Sequence, residues 1–178
     1  MAGRLVWMLG LGTVLGAIGC SDPVPPASKA GLRLHVFGSG ACPAGAVTKP
    51  IGNPAPNAPN KGEPIFDGEE GVKTSCTVQG GPEFKIVGKV QTAGLVFDVN
   101  GQINGTTGMG TATIGFRIPE NAVYLEASNC TLTAVQGSQG PQVIPGAVWA
   151  RFDCDNASAP PANSCDADGE FVLENCSH

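Results

Sequence analysis

Apolar and polar residues alternate along most of the chain beyond position 31, the period that places successive side chains on opposite faces of a strand. Leu32, Leu34 and Val36 flank Arg33 and His35. The segment 72–79 (VKTSCTVQ) is β-branched and polar. Phe84, Ile86 and Val90 recur with Lys85 and Lys89 between them, and Leu95, Phe97 and Val99 surround Asp98. The clearest run is Ala112, Ile114, Phe116 and Ile118, alternating with Thr111, Thr113, Gly115 and Arg117. Val123 with Leu125, then Cys130 with Leu132 and Ala134, predict two shorter strands. Val148, Ala150, Phe152 and Cys154 predict another, and Phe171 with Leu173 a last one. No segment after the first twenty residues carries a helical period. About nine strands separated by turn residues predict an all-β fold, an antiparallel β-sandwich of jelly-roll or Ig-like type over 31–178.

Composition agrees. The 26 glycines and 15 prolines disfavour helices, in which both residues are costly. Proline also predicts the interruptions, because it has no N–H for a central ladder. Pro50 to Pro64 (PIGNPAPNAPNKGEP) reads as a long surface loop and Ala157 to Asn163 (ASAPPAN) as a shorter one. Glu69-Glu70, between Gly68 and Gly71, reads as a turn. The net charge of −5, with 10 Lys+Arg scattered among 15 Asp+Glu, argues against nucleic acid as a partner, because phosphate contacts need a basic stripe.

The first twenty residues are different in kind. Arg4 gives a short positive start, and Leu5 to Ile18 carries no charge. That stretch is too short to span a bilayer but suits the apolar region of a signal peptide. Small residues Ala17 and Gly19 stand three and one positions before Cys20. The segment resembles the lipobox of bacterial lipoproteins. The resemblance implies cleavage after Gly19, acylation of Cys20, and attachment to a membrane through that acyl anchor. In such lipoproteins an Asp directly after the cysteine retains the protein in the inner membrane; Ser21 stands there, which implies the outer membrane. Ala17-Ile18-Gly19 also satisfies the small-x-small rule of an ordinary signal peptide. Cysteine parity favours the lipoprotein: of seven cysteines, six remain to pair once Cys20 carries lipid. Residues 20–30, with three prolines and little to bury, predict an extended tether.

Six cysteines in an exported chain predict three disulfides, and no C-x-x-C spacing suggests zinc. Fifteen pairings of six cysteines are possible. Closing short or structureless loops favours Cys154–Cys165 around ASAPPAN and Cys42–Cys76 around the first proline-rich insertion, which leaves Cys130–Cys176.

Candidate chemistry is sparse. His35 is the one internal histidine, has no nucleophile motif beside it, and alternates with apolar neighbours, so it reads as a polar-face strand residue and no catalytic residue is assigned. Asp153, Asp155, Asp166 and Asp168 are weak calcium candidates, but with Asp166 as the first position glycine falls at the fourth and no closing Glu stands at the twelfth. The 166–170 run therefore reads as a solvated acidic turn before the last strand. Trp149 and Tyr124 are the possible aromatic surface for a glycan, Trp149 being out of phase with Val148 and Phe152. The expected protein is an exported, lipid-anchored envelope lipoprotein. Its module is non-catalytic, for binding or structure, and needs no cofactor; a glycan- or calcium-binding surface is the alternative and a secreted hydrolase the third reading.

Overall fold

The computed structural model describes residues 25–38, 42, 45–52, 64–119, 121–159 and 163–178. The leader, Cys20, the first part of the tether and most of the first proline-rich insertion lie outside them. The elements are β1 (Lys29–Phe37), β2 (Val47–Ile51), β3 (Ile65–Phe66), β4 (Lys73–Gly80), β5 (Glu83–Gln91), β6 (Val96–Asn104) and β7 (Met109–Ile118). They continue with β8 (Asn121–Ala134), β9 (Gln136–Gly137), β10 (Gly140–Pro141), β11 (Val143–Ile144), β12 (Ala147–Ala159) and β13 (Asn163–Glu174). One 3-10 turn, Glu69–Gly71, holds the Glu69-Glu70 pair. No helix among the described residues is long and apolar enough to cross a membrane.

The all-β antiparallel expectation holds. Nine strands follow one path, β2-β1-β13-β12-β8-β7-β6-β5-β4, with β11 and β3 attached at its side and β9-β10 a separate hairpin. The layers therefore belong to a single sheet that curls over its own inner face. That face is the apolar phase of the alternation: Leu32, Leu34, Ile86, Phe97, Ile114, Phe116, Leu125, Leu132, Phe171 and Leu173 are fully buried. Phe97, Phe152 and Phe171 meet at its centre, with ring centroids 5.4 to 6.4 Å apart. Such tilted aromatic contacts add to the area they bury. The walls approach so closely that a Cβ on Gly88 of β5 would lie 2.5 Å from Leu173 Cδ1 of β13. Only glycine leaves that space open.

An exposed edge strand is a template for unwanted pairing. The free side of β4 is closed by its own chain. Thr74 N–H donates to Asp67 Oδ1 at 2.7 Å, and Ser177 N–H donates to Cys76 O at 3.0 Å. Val78 N–H donates to Ser177 O at 2.9 Å, and Val78 O accepts from Gly146 N–H at 2.8 Å. The Cys76–Cys176 disulfide pins the same junction. The segment after β13 thus joins the last strand of the path to the third, and the curl closes.

Four expectations need correction. The disulfides are Cys42–Cys165, Cys76–Cys176 and Cys130–Cys154, so none of Cys42–Cys76, Cys130–Cys176 and Cys154–Cys165 forms. Loop closure ranked partners by separation along the chain, whereas the sheet ranks them by register. Asp153 faces Thr131, so Cys154 and Cys130 are the next pair on the inner face. Asp166 to Glu170 is no turn: it lies inside β13, between β1 and β12. Its acidic side chains suit a strand because they occupy the outer phase. Lys29 and Ala30 belong to β1, paired with Glu174 and Leu173, so the sheet begins two residues inside the segment expected to be tether. Both proline-rich loops are shorter than expected: Pro50 and Ile51 belong to β2, at the end of the path, where proline is tolerated, and Ala157 to Ala159 close β12 while Asn163 opens β13.

β8 and β12 are long strands bent in the middle. Register shifts fall between Ala112/Ile114 against β8 and between Cys154/Ala157 against β13. Asn129 and Asn156 take the left-handed backbone there, at φ 63° and 57°. Asparagine tolerates that conformation better than any other side-chain-bearing residue. The bulge in β8 is why its two apolar runs read as separate strands in the sequence.

Candidate functional site

The outer phase of the strands carries the polar chemistry, and antiparallel register gathers it into rows. On β4 to β8 one row runs Ser75, Lys89, Asp98, Gly115, Glu126. Beside it runs Thr77, Val87, Asn100, Thr113. Both rows line a trough of about 700 Å³ that extends from Ser28 and Ser177, at the edge of β4, to Tyr124 and Glu126 on β8.

Tyr124 is fixed within it. Its hydroxyl donates to Asp98 Oδ2 at 3.0 Å, while Lys89 Nζ lies 3.2 Å from Asp98 Oδ1. Two residues along from Glu126, the ring leans diagonally over Gly115, and its hydroxyl end fills the space that a Cβ would take. Partial burial pushes the phenol well above its ordinary value, and the charge and hydrogen bond of Asp98, then the charge of Glu126, push it further. The hydroxyl is therefore a neutral donor at any physiological pH, while 41% of the residue stays open to solvent.

A second polar region covers β1, β13, β12 and β8. Its rows are Arg33, Glu170, Arg151, Thr133 and His35, Asp168, Asp153, Thr131. Glu170 is 5% exposed. Its Oε1 accepts from Arg151 Nε at 2.8 Å and lies 3.3 Å from an Arg33 guanidinium nitrogen, while its buried Oε2 has no partner. His35 Nδ1 lies 3.3 Å from Asp168 Oδ1, and its ring stacks on Phe37 with centroids 5.0 Å apart. His35 thus sits on the polar face, as its alternation implied.

The structure separates the two aromatic candidates. Trp149 borders a different cleft, beneath the β9-β10 hairpin with Pro141 and Gln142. Its backbone N–H donates to Gln142 O at 2.9 Å, its carbonyl accepts from Val135 N–H at 2.8 Å, and its indole N–H is buried without a partner. Since Ala150 faces Ala134 and Ser158 faces Glu126, Trp149 and Tyr124 stand at opposite ends of the β8–β12 ladder. They form no common platform.

Nor do the four aspartates converge. Asp153 and Asp168 face each other across β12 and β13, Asp166 Oδ1 accepts the Asn156 N–H at 3.0 Å, and Asp155 points to solvent. Among the described residues no three His, Cys, Asp or Glu side chains assemble a metal site.

Sequence reasoning did not single out Lys89, Asp98, Arg33, Arg151 or Glu170. Each stood in the polar phase of an expected strand or next to one, and register was the missing quantity. No family of known proteins, no curated protein and no solved structure matches the chain.

Proposed function

We propose that the protein is a lipid-anchored lipoprotein of the bacterial cell envelope whose domain is a non-catalytic binding module. One observation carries the reading. Cys42, Cys76, Cys130, Cys154, Cys165 and Cys176 are all consumed in three disulfides, which leaves Cys20 as the seventh cysteine, at the end of a lipobox-like leader. Disulfides form and persist in oxidising compartments outside the cytosol. In such a compartment an acylated Cys20 accounts for the odd thiol. Ser21 favours delivery to the outer membrane.

The non-catalytic part rests on where the polar groups sit. His35 is engaged by Asp168 and Phe37 on an open sheet face, and Tyr124 is locked as a donor to Asp98. The trough favours binding over a purely structural role, because it is of the size that ligands occupy and a rigid aromatic stands in it.

Intact mass of the protein extracted from membranes tests the anchor. The expected product begins at Cys20, carries the added mass of acyl chains, and gains the mass of six hydrogens on reduction. A product that begins at Cys20 or later without acyl mass overturns the lipoprotein reading. A full-length chain with reduced thiols overturns export as well.

A further inference from the structure

We infer that the trough over β4 to β8 binds a neutral glycan chain, one pyranose ring resting against Tyr124. This deepens the reading of the domain as a binding module and rests on it. The ring is held before any ligand arrives, by Asp98 at its hydroxyl and by the close approach over Gly115, so binding does not have to order it. A sugar offers a C–H face to such an aromatic and hydroxyls to the groups around it. Those groups are at hand: Asn100, Thr113 and Glu126 make no side-chain hydrogen bond to any described residue, and they line the same trough as Tyr124 along the two rows.

Shape and charge narrow the class. Five strands spaced by about 4.8 Å make the trough roughly 19 Å long, a span suited to a chain rather than one ring. A smaller depression of about 310 Å³, bordered by Lys89, Gln91, Val96 and Arg117, shares Tyr124 with the trough and runs alongside it. Asp98 and Glu126 outnumber Lys89 in the trough, and the chain carries a net charge of −5. That balance repels acidic polymers and admits neutral ones.

The test is an NMR titration of the full mature protein in zwitterionic detergent with chitotetraose and with cellotetraose, and with polygalacturonate as the anionic comparison. Tyr124 is the only tyrosine, so its ring resonances are unambiguous. A saturable shift of that ring and of the Asn100 and Thr113 amides is expected with at least one neutral oligosaccharide and not with polygalacturonate. Tyr124→Ala should weaken binding about tenfold, the loss of one good aromatic contact. Asn100→Ala and Glu126→Gln, which leave Tyr124 and its support in place, should weaken it severalfold, and Trp149→Phe should leave it unchanged. No saturable shift with either neutral oligosaccharide overturns the inference. So does unchanged affinity in Asn100→Ala and Glu126→Gln, or a response confined to the Trp149 cleft. Cleavage of a bound oligosaccharide would overturn the non-catalytic reading and leave the site standing. An unacylated mature chain would overturn the anchor and also leave the site standing.

Discussion

Glu170 shows how a single side chain depends on the order of strands around it. Its carboxylate is buried in the sheet because β1 and β12 each place an arginine beside it. Removing the two arginines and removing the glutamate are therefore different operations. The double variant Arg33→Met/Arg151→Met should lose about 3 kcal/mol in chemical denaturation, because a buried charge is left without a partner. Glu170→Met should lose markedly less, because the freed guanidiniums, largely exposed, return to water. Equal losses would show that the buried carboxylate does not depend on its two arginine partners. Tyr124 allows a second check. The folded state raises the phenol's pKa, so its contribution to stability is complete below the unfolded value and is lost as pH climbs through the folded one. Ultraviolet titration should find tyrosinate absent from the folded protein at a pH where the denatured chain is half ionised. In Asp98→Asn, which removes the neighbouring charge, ionisation should begin at lower pH. None of this was legible in the sequence, for a physical reason. The phase of alternation says which residues face outward, but only register says which of them touch.

At the scale of elements, the alternation found most strands of the path, because burial of one face imposes period two wherever a strand lines the core. It failed where that rule is diluted. β2 is an edge strand with a proline and little burial, and β9, β10 and β11 have two residues each. The first half of β13 was read as a turn because Asp166-Ala167-Asp168-Gly169-Glu170 is polar on its outer phase and small on its inner one. The disulfides follow the sheet and not the spacing, which leads to an ordering. Cys130–Cys154 closes a separation of 24 residues, Cys76–Cys176 one of 100 and Cys42–Cys165 one of 123. By chain entropy alone, each taken singly, replacing the first pair by alanine should cost about 3 kcal/mol and either of the others close to 5. Equilibrium unfolding of the three double-alanine variants measures this, and a larger loss for Cys130–Cys154 would contradict it.

The whole molecule is one sheet closed over one core, so damage at the centre reaches every wall. Phe97→Ala opens a void between Phe152 and Phe171 and should cost about 3 to 5 kcal/mol, seen as a large drop in denaturation midpoint. Val87→Ala, on the exposed face, should change stability by less than about 0.5 kcal/mol. The closure has one more consequence. β1 pairs along its whole length with β13, and β4 is sealed by Ser177, so the opening strand of the domain has no neighbour on that side until β13 is in place. Closure of the wall is thereby deferred until β13 and Ser177 are in place, whereas β4 to β8 pair with their neighbours along the chain. A copy cut before β13 would keep the β4 to β8 meander but lack the strand and the segment that seal it.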